Sequence, residues 1–86
     1  MDWEELLEKV LEKYGDAKVK FSSYYKYTFT FRGKTEDGRE IVCRVGWTAD
    51  DIYRFGVNAE EEITVRDLHP DEIEVDDEVI WSNRWW

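Results

Sequence analysis

The sequence predicts an α+β fold: an N-terminal amphipathic helix packed on one face of a four-stranded antiparallel meander, followed by an acidic, Trp-rich C-terminal segment. Three observations predict it. Apolar residues recur every three or four positions from Trp3 to Tyr14, then every second position from Val19 onward. Glu36-Asp37-Gly38 and His69-Pro70 interrupt the alternating region where a chain turns or a strand stops. The apolar strand positions share odd numbers, a parity that a one-residue slip in any strand would destroy. Eighty-six residues supply one hydrophobic core and not two, so residues 1–86 read as a single domain.

Asp2 followed by Glu5 has capping-box spacing and starts the helix. Trp3, Leu6, Leu7, Val10, Leu11 and Tyr14 form its apolar stripe, and Gly15 ends it in the left-handed conformation. From Val19 to Phe31 the alternation reads as one long strand, with Ser22-Ser23 marking a bulge or bend. A three-residue loop with Gly38 in the left-handed position pairs Thr35 with Arg39, Phe31 with Cys43, Phe29 with Val45 and Tyr27 with Trp47, and sets Lys34 opposite Glu40. A two-residue Asp37-Gly38 turn would instead set Phe31 against Arg44 and mix the faces.

Loops at 48–52 and 58–62 then place Phe55 opposite Val45 and Val65, and Val57 opposite Cys43 and Ile63. One helical turn at Thr48 to Asp51 is the alternative for the first loop. His69-Pro70 breaks the last strand. Ile73-Glu74-Val75 alternates like a short strand, and Asp76 to Trp86 forms either a helix capped by the Asp pair or a final strand.

Composition bounds function. Twenty-one acids against twelve bases give a formal charge of −9, which repels nucleic acid and anionic membranes and attracts basic partners. A single cysteine, Cys43, makes no internal disulfide, which points to a reducing, cytoplasmic home. The first twenty residues hold no apolar run of the kind a secretory signal or membrane span needs.

If odd residues face the helix, Lys18, Lys20, Lys26, Arg32, Lys34, Arg44, Arg54 and Arg66 put eight of the twelve bases on the opposite face. Arg54 falls opposite Arg66, a like-charge pair that calls for a neutralising carboxylate or anion. Three readings of this face follow. The acidic stretch from Asp67 to Glu78 and its Trp-rich end fold back across it, or water covers it. In the third, Arg44, Arg54 and Arg66 bind a phosphate, carboxylate or acidic peptide with Thr30 and Thr64. Trp81, Trp85 and Trp86 either dock on the domain or anchor a partner or a second copy, so the chain is expected as a monomer or weak homo-oligomer.

His69 is the lone histidine and Cys43 is expected to point inward, which leaves neither a Cys/His dyad nor a zinc site. Asp50-Asp51 and Asp76-Asp77-Glu78 lack the spacing of a calcium loop, and no carboxylate is expected in the apolar pocket that acid/base chemistry needs. No cofactor or metal is therefore expected. The expected function is a small acidic, non-enzymatic interaction module for a basic protein partner, acting as an inhibitor or nucleic-acid mimic. A binder of small anions or acidic peptides on the basic sheet face is the alternative, and a purely structural or designed domain without a ligand is the third.

Overall fold

A computed structural model describes residues 3–25, 28–46 and 60–83. Helix α1, Trp3–Tyr14, carries Glu4 and Glu5 in its first turn and Lys13 in its last, each matched in sign to the helix dipole. Strands β1 (Lys18–Tyr25), β2 (Thr28–Lys34) and β3 (Glu40–Gly46) follow as a meander. Strand β4 (Ile63–Thr64), a four-residue helix α2 (Val65–Leu68), and strands β5 (Glu72–Val75) and β6 (Glu78–Ser82) complete the order.

Among the described residues the sheet has six antiparallel strands in the order β4-β1-β2-β3-β5-β6, not the four of a simple meander. After β3 the chain pairs β4 with β1, Val19 opposite Ile63, and α2 then leads back to the other edge, where β5 pairs with β3. The place beside Cys43 that was expected for Val57 is held by Ile73. Val65 begins α2 rather than opposing Phe55 in a strand. The expected Tyr27–Trp47 pair, the 48–52 loop and the Phe55 and Val57 strand lie outside the described residues.

The long strand expected from Val19 to Phe31 is a hairpin. Tyr25 pairs with Thr28 across residues 26–27, a connection with no Gly, Pro, Asn or Asp to mark it. A two-residue connection opposes residues of unlike parity, Tyr24 with Phe29. One extra β1 residue at Ser22 then restores odd against odd, Phe21 with Phe31. The bulge and the turn together let the alternation run through unbroken, which hid the reversal.

The β2–β3 register is the expected one. Phe29 pairs with Val45, Phe31 with Cys43 and Lys34 with Glu40, around a loop in which Gly38 has φ 85°. Thr35 closes it: its Oγ1 accepts from the Arg39 N–H at 3.0 Å and donates to Asp37, and that hydrogen bond, with the nearby Arg39 charge, holds the Asp37 carboxyl below its ordinary pKa against an opposing effect of burial. The segment after Val75 resolves to a strand. Asp76 and Asp77 both take left-handed φ, 50° and 67°, and form a two-residue hairpin turn instead of a helix cap.

Gly15 is not left-handed, contrary to expectation. A side chain there would collide with the Leu11 carbonyl and lie 2.7 Å from an Arg66 guanidinium nitrogen. The end of α1 meets α2 through backbone: Arg66 N–H donates to Gly15 O at 2.9 Å and Val65 N–H to Ala17 O at 3.0 Å.

The core lies between the odd face of the sheet and the two helices. Val19, Phe31, Ile41, Cys43, Val65 and Ile73 are its most buried members, and Phe21 sets its ring edge-on to Phe29 and Phe31 at 5.8 and 5.9 Å. Val42 breaks the odd-number rule. It is buried on the opposite face, where its cross-strand neighbours Arg32 and Glu74 carry long aliphatic stems.

Candidate functional site

Five of the residues singled out in the sequence are described, and they do not converge. Arg44 sits on the even face of β3 with Thr30 opposite on β2. Its Nη1 donates to Glu72 Oε2 and to Glu74 Oε1, each at 2.9 Å. Burial works against the guanidinium charge, but the bonds and charges of Glu74 and Glu72 outweigh it and raise the pKa above its ordinary value. Arg44 is thus held by two carboxylates of its own chain. The acidic segment does reach the basic face, but as the neighbouring strand β5 in the plane of the sheet and not as a tail laid across it.

Arg66 is on α2 and not on the sheet face. It donates to Leu11 O at 3.1 Å and lies 3.8 Å from Asp16, so it closes the end of α1 and does not stand in a strand of the sheet. Thr64 Oγ1 accepts from the Asp67 N–H at 3.2 Å as the N-cap of α2. That cap has a signal in the sequence, since Thr64 and Asp67 stand three apart in the Ser/Thr-x-x-Asp/Glu pattern. Trp81 docks in the core opposite Ile73, 4% exposed, as one of the two readings of the tryptophans required. Arg54, Trp85 and Trp86 lie outside the described residues.

What sequence reasoning missed is a groove between α1, α2 and β6. Leu7 and Leu11 of α1, with Pro70 and Trp81, line a concavity of about 430 Å³. Glu4 and Asp71 stand at its rim with Arg66 and His69. Asp71 is fixed there by a 2.7 Å bond from the Gly46 N–H to its Oδ2, and His69 by a left-handed φ of 53° that ends α2. Apolar floors with a few polar groups at the edge are the usual form of a binding cleft. A signal existed in the His69-Pro70 break, but locating the groove needed the crossing of α2 over the sheet.

Burial pushes the Cys43 thiol up to about 12, which keeps it protonated and unreactive at neutral pH. Among the described residues no group of three or more His, Cys, Asp and Glu is placed to hold a metal ion, and no helix there is long and apolar enough to cross a membrane. No protein-family model matches the chain, and no curated protein or solved structure is significantly similar to it.

Proposed function

We propose that this chain is a small, non-enzymatic interaction module whose acidic exterior engages a basic protein partner. The observation that carries the reading is the groove on α1, with an apolar floor of Leu7 and Leu11 beside an exposed helix surface of Glu4, Glu5, Glu8 and Glu12. An apolar anchor of the partner seats in the groove while its flanking bases meet these carboxylates. The charge balance supports the same reading. Each described arginine is already met by a carboxylate of this chain: Arg32 by Glu40, Arg39 by Asp37 and Asp76, Arg44 by Glu72 and Glu74, Arg66 by Asp16. The surplus of acids therefore faces outward. An exterior of this sign suits a partner whose basic surface otherwise holds nucleic acid, which makes inhibition by mimicry the form the activity takes.

A synthetic peptide with one leucine anchor among lysines, followed by fluorescence anisotropy, tests this. Its affinity is expected to fall steeply as salt is raised. Glu4→Lys is expected to weaken it about threefold to tenfold, and Glu78→Lys, the same charge change at the far hairpin, by much less. Affinity indifferent to ionic strength removes the proposal.

A further inference from the structure

The register of the β1–β2 hairpin sets like charges against each other on the sheet face away from α1. Lys18 pairs with Lys34, and Lys20 with Arg32. Four cations thus occupy the corners of a rectangle about 5 Å across the strands and about 7 Å along them. Directly opposed like charges destabilise a sheet. The chain has twenty-one carboxylates with which to relieve this, yet it spends few here. Arg44, on the next strand but one from β1, receives two. The rectangle receives one, Glu40, which pairs with Lys34 and lies 3.7 Å from Arg32 Nη1.

On the β4 side the register continued past Ile63 brings Glu62 toward Lys20, with no ion pair between them among the described residues. Thr64, a neutral residue, pairs with Lys18 on the β4 side, and Glu60, Glu61 and Glu62 precede β4. Among the described residues no ion pair involves Lys18, Lys20 or Lys34. All four cations are exposed.

We propose that Lys18, Lys20, Arg32 and Lys34 form a binding site for a phosphate-bearing small molecule. Three flexible ammonium groups and one planar guanidinium fork, spaced at the size of a single tetrahedral oxyanion with its side-chain reach, converge on phosphate through charge-assisted hydrogen bonds. A compact ligand fits better than a polyanion. Within one Debye length, about 8–10 Å, a single phosphate senses four cations and Glu40, while an extended polyanion also meets the surplus acids of the whole molecule. This site is separate from the α1 groove and stands whether or not a basic partner binds there.

The test is an NMR titration of the intact chain with inorganic phosphate at constant ionic strength, run against chloride, together with thermal melts. Phosphate is expected to move the resonances of Lys18, Lys20, Arg32 and Lys34 saturably and to raise the melting midpoint. The paired variant Lys20→Gln with Arg32→Gln removes two exposed charges, and with them the exposed Arg32–Glu40 ion pair, while glutamine keeps part of the aliphatic stem beside Val42. It is expected to bind phosphate about tenfold more weakly and to melt higher than the parent in phosphate-free buffer, because the repulsion is gone. Glu40→Gln is expected to tighten phosphate binding severalfold. Equal effects of chloride, or a phosphate stabilisation that survives in the paired variant, identify screening or solute exclusion and overturn the proposal. A shift map centred on Arg44 or α2 overturns it as well.

Discussion

Removing the Arg44 guanidinium takes from Glu72 and Glu74, each with a side chain only 16% exposed, the cation they share on one face of the sheet. Breaking one member of such a group costs more than the group contributes, since the remaining charges stay partly desolvated. Arg44 is itself 26% exposed, so water relieves part of the penalty. Arg44→Met is therefore expected to destabilise folding by about 1–3 kcal/mol in urea titrations. Adding Glu72→Gln and Glu74→Gln to it is expected to recover most of the loss; a triple variant as unstable as the single one would mean that the cost lies in packing. At this scale the sequence was informative about type and blind to partner. Arg44 read correctly as a charge on the even face, but the carboxylates that hold it are about thirty residues away, on a strand whose place beside β3 no local pattern encodes.

Among the elements, the β5–β6 turn carries the clearest local strain. Two consecutive non-glycine residues, Asp76 and Asp77, sit at positive φ, where a side chain crowds its own backbone. Asp76 has a compensating role, since its Oδ1 accepts from the Glu40 N–H at 3.2 Å and its own N–H donates to Glu40 O. Asp77 has no such bond to β3, and Asp-Gly is the favoured pair for this turn. Asp77→Gly is expected to raise stability by about 0.5 kcal/mol and Asp77→Val to lower it, as read by thermal melts.

The same elements show why some structure was legible and some was not. The β2–β3 register followed from two constraints, one apolar face and one glycine, that both act within a dozen residues. The β1–β2 reversal left no trace, because a bulge at Ser22 cancelled the parity change that the turn introduced. The α2 helix is four residues long, barely one turn and far short of the window of about 11–18 residues in which a helical period shows, and only its Thr64 cap marks it.

For the molecule as a whole, charge is distributed by strand. The β1–β2 half of the exposed sheet face carries Lys18, Lys20, Arg32 and Lys34, whereas β5 brings Glu72 and Glu74 to the other half. Parity placed Lys18, Lys20, Arg32, Lys34 and Arg44 on the face away from α1, and it placed Arg66 there as well, which the structure carries on α2. Neither parity nor net charge predicted that the face would divide into a half neutralised around Arg44 and a half where four cations share Glu40, because that division depends on which edge β5 joins. The groove was hidden for the same reason.

The crossing from β4 to β5 also governs what the chain length between them can be. These two strands stand four spacings apart in the sheet, about 19 Å. Seven residues, 65–71, make the journey, four of them coiled in α2, which advances only about 1.5 Å per residue. There is little slack, so the connection acts as a strap cinched over the core, with Val65 and Leu68 pressed beneath it and one sheet edge tied at each end. Excising one residue between Leu68 and Asp71 is expected to pull β4 off β1 or β5 off β3, seen as amide exchange rising along that whole edge. Inserting one or two residues there loosens the cinch and is expected to leave both edges paired.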